Sequence, residues 1–136
     1  MSISDTENNK LQAAKIGFVY LLVSMFCALF GAVYECFSHE VYSFYMIYAF
    51  AFPLVGGVLP FYSLFLCKRQ MPGRLVLNLY HSGIAAFTVG SFMEGVFEIY
   101  GTTNRLTSLY WDLGAFFMAA VIMVCMWKRY WNLKSN

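Results

Sequence analysis

Charge is scarce in this 136-residue sequence: 12% of residues are Asp, Glu, Lys or Arg, where a soluble domain carries about a quarter. With 60% of residues hydrophobic and 20% aromatic, too little polar surface remains to clothe a soluble globule. There is no HExxH, no GxSxG, no glycine-rich phosphate loop and no Cys/His zinc constellation, which sets aside the enzyme classes those motifs serve. The net charge of +2 is too small to argue for nucleic acid as a partner. CxxC is also missing, and Cys27, Cys36, Cys67 and Cys125 read as apolar helix residues. Only two histidines occur. His39 and His81 fall toward opposite ends of the predicted spans, which argues against a shared haem.

Long apolar runs are what the sequence does have. About 30 Å of hydrocarbon requires about 20 helical residues, and four stretches qualify: about 16–37, 41–66, 75–100 and 106–127. The chain is therefore read as an all-α integral membrane protein, a four-transmembrane-helix bundle forming one domain over residues 1–136. A basic start before an apolar run resembles a signal peptide, but the first run is too long and lacks a small-residue cleavage site before Glu35. The polar opening MSISDTENNKLQ is expected to be a short tail or an interfacial first turn. Pro53, Gly56, Gly57 and Pro60 predict a kinked or unwound second span, tolerable where neighbours satisfy the freed carbonyls.

Basic residues give the expected orientation. Lys10 and Lys15 precede the first span, Lys68, Arg69 and Arg74 separate the second and third, and Lys128, Arg129 and Lys134 follow the fourth. Only Arg105 falls on the other side. The positive-inside rule places both termini in the cytoplasm of a multi-pass cell-membrane protein, N-in and C-in.

A short internal likeness suggests two repeated helical hairpins. VYECF (33–37) and VFEIY (96–100) close the first and third spans, aligning Glu35 with Glu98. Two spans per unit would make the repeat parallel, over 14–74 and 75–136, with the two glutamates near each other at the outer end.

Glu35, Glu40, Glu94, Glu98 and Asp112 all map to the outer half. Glu94 and Glu98 share a helical face, with Glu94 about 6 Å deeper. A charge within a span costs about 3 kcal/mol on insertion scales and usually faces a bundle interior or an aqueous cavity. Glu35, Glu94, Glu98 and Asp112, with His39 as a neighbour, form the candidate ligand or ion site, for a cation, a cationic ligand or a proton; Glu40 reads as a solvated loop residue. Carboxylates suit hard cations, His39 would admit zinc or iron, and close carboxylates can share a proton. No metal or cofactor is singled out. The competing reading puts Glu35, Glu98 and Asp112 at headgroup level as helix-end markers. His81 is a secondary candidate, as a proton relay or phosphate-facing group against a plain polar cap.

Small residues predict packing faces: Ser24, Ala28 and Ala32; Ala86 and Gly90; Ser91 and Gly95; Ala115 and Ala119. Tyr45, Tyr48, Phe50 and Phe52 are candidates to line an apolar cavity. Three functions follow: a small transporter or transport-associated binding protein using the outer acids, a non-catalytic partner or sensor subunit of a larger complex, and a membrane enzyme acting on a lipid-like substrate. The expected partners are the lipid bilayer, a second copy of the chain or a larger membrane complex.

Overall fold

The computed structural model describes residues 3–39, 41–67 and 71–135. Within them the protein is helical, with four helices long and apolar enough to cross a membrane. The first, α1 (Ile3–Phe37), has 35 residues, about 50 Å of helix against about 30 Å of hydrocarbon. From Ile3 onward the polar opening is thus neither a tail nor a single turn. It forms the first turns of α1, extending its apolar stretch.

The second span is broken as its prolines and glycines demand. It comprises α2 (Phe44–Tyr48), α3 (Ala51–Pro53), a π-helical turn (Leu54–Val58) and α4 (Leu59–Cys67). Pro60 has no N–H to offer the Gly56 carbonyl four residues back. The helix widens there, Leu59 N–H reaching Leu54 O, and Tyr80 donates its hydroxyl to the freed Gly56 oxygen at 2.5 Å. Ser91 donates to Tyr45 O at 2.6 Å and Ser24 to Phe50 O at 3.2 Å. The Tyr80 and Ser91 hydroxyls thereby supply donors to the broken span, while Phe50 O also accepts the Leu54 N–H at 3.2 Å.

The other helices are α5 (Arg74–Ile99) and α6 (Thr107–Lys134), which continues through the aromatic-basic run WKRYWNLK. The broken span lies between α1 and α5, and α6 packs along α5. On α1 the buried residues are Ala13, Ser24, Cys27 and Gly31. With half-buried Gly17 and Tyr20 they recur in alternating steps of four and three, the stripe of near-parallel helix packing. Ala28 and Ala32, expected on the packing face, are exposed, as are Ala115 and Ala119.

Glycines receive the large side chains that hold the bundle together. Tyr20 of α1 lies over Gly57, Phe87 of α5 over Gly114, and Tyr110 of α6 over Gly90. Trp111 sits among Tyr45, Phe52 and Phe87, with ring centroids 5.8–6.4 Å away. Large apolar residues cover the outside, Phe26 at 66% and Phe116 at 67% exposure among them, a surface suited to lipid and not to water. Only 6% of the most apolar window of α6 is buried.

Candidate functional site

The end of the bundle that carries Glu35 and Glu98 is organised around Met46. Its residue is 1% exposed, and α1 and α5 close on it from both sides. A Cβ on Gly31 would lie 3.2 Å from Met46 O, and one on Gly95 would lie 3.0 Å from Met46 N. Glu35 follows Gly31 by four residues and Glu98 follows Gly95 by three. Both carboxylates therefore leave their helices about one turn beyond the same contact.

Ser43 occupies that next layer. Preceding α2 as its N-cap, it accepts the Met46 N–H at 3.5 Å, as serine does when it supplies an oxygen to a helix's unpaired first turn. Its hydroxyl proton goes to Glu98 Oε2 at 2.5 Å, and the residue is fully buried. Sequence reasoning missed Ser43, although a serine immediately before an apolar helix is a readable cap signal. Replacing it with alanine removes both bonds and is expected to cost about 1–3 kcal/mol, measured by denaturation in detergent against wild type.

Glu35 is placed differently. Its side chain is half-buried, and Oε1 is closed to solvent without a hydrogen-bond partner among the described residues. A groove of about 460 Å³ runs between the ends of α1 and α5, lined by Phe30, Val33, Tyr34, Phe37, Ser38, Ile99 and Tyr100, with neither glutamate in its lining. Tyr34 directly precedes Glu35 and Ile99 directly follows Glu98, and the Tyr34 and Tyr100 phenols meet across the groove.

The other residues expected at this end are placed unequally. Glu94 is half-buried one turn below Glu98, and Asp112 is exposed on α6. His39 is exposed with φ of 50°, in the left-handed region, in the turn after α1. Glu40 lies outside the described residues, as do Lys68 and Arg69. Among the described residues, no three His, Cys, Asp or Glu side chains converge to hold a metal ion.

His81 belongs to a second cluster, toward the other end of α1 and α5. Its Nδ1 is 2.5 Å from Tyr20 Oη, and the Phe61 ring stacks on both, with centroids 5.6 Å from His81 and 5.8 Å from Tyr20. Of the span-two aromatics, Tyr48 and Phe52 line an apolar groove of about 550 Å³ with Val55, Tyr80 and Phe87, whereas Tyr45 and Phe50 do not.

Compared with known proteins, the chain matches no family model, no curated protein and no solved structure.

Proposed function

We propose that the protein is a small transport-associated binding protein whose outer end holds a monovalent organic cation between Glu35, Glu98 and the Tyr34/Tyr100 groove. The observation that carries this reading is the closed, unpartnered Oε1 of Glu35. A carboxylate oxygen withdrawn from water without a donor is costly, and a cation held in the adjoining groove offsets that cost through space, where the dielectric is low. Aromatic faces beside it attract a cation through the ring quadrupole. A groove of about 460 Å³ falls within the range of small-molecule sites, about 300–1,000 Å³. The lack of a three-ligand cluster among the described residues favours an organic cation over a metal.

Orientation is part of the proposal: N-in and C-in, from the placement of lysine and arginine, with the Glu35 end outside. The native cysteines test it, because Cys36, Cys67 and Cys125 are exposed and Cys27 is buried. A membrane-impermeant maleimide applied to intact cells is expected to label Cys36 and to leave Cys67 and Cys125 untouched until the membrane is opened. The reverse pattern would invert the topology.

The binding test uses tetramethylammonium as the probe, titrated into purified protein against sodium at equal ionic strength. At ten times Kd a single site stabilises by about 1.4 kcal/mol, a rise in Tm of roughly 4 °C for a chain of this size. No rise would sink the cation reading and turn attention to the partner role, for which the bare outer face of α6 is suited.

A further inference from the structure

We infer that the groove between α1 and α5 on the His81 side is a binding site for an anionic glycerophospholipid. Lys15, Ile16, Val19, Tyr20, Val23 and His81 line this groove, of about 360 Å³. Ile16, Val19 and Val23 recur on one face of α1 at helical spacing and run for about 10 Å along it, which suits an acyl chain. The two ends of the groove differ chemically. Lys15 lies five residues before Tyr20, about 7.5 Å nearer the end of the bundle, and is exposed. Tyr20 and His81 are level with each other, joined through Nδ1. Arg74 precedes His81 by seven residues, on the same face of α5, and is also exposed.

This arrangement meets a glycerophospholipid at two points. The ammonium of Lys15, with Arg74 near its level, faces the phosphate. Deeper in the groove, the Tyr20 hydroxyl and Nδ1 share a hydrogen bond; in the inferred site the phenol is the donor, which leaves the ring proton on Nε2. Nε2 has no hydrogen-bond partner among the described residues, and its proton is donated to an ester carbonyl of the glycerol backbone. Stacking on Phe61 from one side fixes the ring plane. A cationic group at the mouth and a single donor one and a half turns inward match a headgroup phosphate above an ester. A neutral hydrocarbon ligand would use neither. Lipids with anionic headgroups gain about fivefold per basic group at such depths, so selection among phospholipids falls to Lys15 and Arg74.

The experiment is native mass spectrometry of the full chain released from nanodiscs holding equimolar phosphatidylglycerol and phosphatidylcholine. Retained phosphatidylglycerol is expected to exceed phosphatidylcholine about fivefold or more. Lys15→Gln should lower that ratio about fivefold, and Lys15→Gln combined with Arg74→Gln should bring it close to one. Lys15→Arg should keep it, and Lys134→Gln, which removes the same charge from α6, should leave it unchanged. His81→Phe, which preserves the stack on Phe61, should lower retention of both lipids without changing their ratio. Equal retention of the two lipids by wild type would overturn the inference, as would an equal loss of selectivity in Lys15→Gln and Lys134→Gln. Displacement of the lipid by millimolar inorganic phosphate would also overturn it, because the groove would then be a soluble-anion site.

Discussion

Gly57→Ala is expected to destabilise the protein by about 3 kcal/mol, at the upper end of overpacking costs. An added Cβ at this position would fall among the first atoms of the Tyr20 side chain, 2.7 Å from Tyr20 Cβ and closer still to its ring. The tip of a flexible side chain can swing away from such an intrusion, but the root of an aromatic one cannot without moving α1. Moving α1 breaks the Tyr20–His81 bond and separates the Tyr20 ring from Phe61. Gly57 also lies within the π-helical turn, next to Gly56, whose carbonyl takes the Tyr80 hydroxyl that ties the turn to α5. Denaturation in detergent checks the magnitude, and an unchanged stability would show that α1 does not rest on this turn. Gly17→Ala is the matched control: its Cβ would stand 3.7 Å from Phe61 Cβ, an ordinary contact, so a change near zero is expected.

The second large effect is on binding. Glu35→Gln keeps the size and shape of the side chain while removing its charge. If the closed Oε1 draws the cation into the groove, the amide should weaken tetramethylammonium binding by about thirtyfold or more, the usual consequence of deleting one partner of a buried charge pair. Glu98→Gln should cost less. Its carboxylate is exposed and already receives the Ser43 hydroxyl, so it is less dependent on a cation. An equal loss in both variants would mean that Glu35 holds no special position.

The spans were legible in the sequence because about 20 apolar residues in a row have few other uses. The break in the second was legible too, since Pro53 and Pro60 remove backbone donors regardless of surroundings. Packing faces were not. In a helix meant for lipid, the outward residues are as apolar as the inward ones, so hydrophobic contrast does not mark the interior. Ser24, Ala28 and Ala32 looked like one stripe, but only Ser24 is buried. The true stripe on α1 alternates four and three and includes Cys27 and Tyr20, residues whose type gave no hint of it.

At the end of the bundle that carries Glu35 and Glu98, the acids were visible in the sequence, but their unequal burial was not. The likeness of VYECF to VFEIY aligned Glu35 with Glu98, and Gly31 and Gly95 both close on Met46, each about one turn before its glutamate, a relation no local motif contains. The flanking hairpins differ in one respect: the second span is broken by a π-turn, whereas α6 runs unbroken from Thr107 to Lys134. Asp112 shares the depth of the site by residue count, yet its neighbour Trp111 takes the inward position on α6, which leaves the acid exposed. The partnership of Tyr20 with His81 joins residues 61 apart, and only the tertiary fold supplies it.

Equilibrium dialysis of radiolabelled tetramethylammonium against purified wild-type protein and Glu35→Gln tests the proposed cation site most directly. Saturable binding of about one cation per chain in wild type, lost in Glu35→Gln, is the expected result. Binding that never saturates, or that is the same in both proteins, would contradict it.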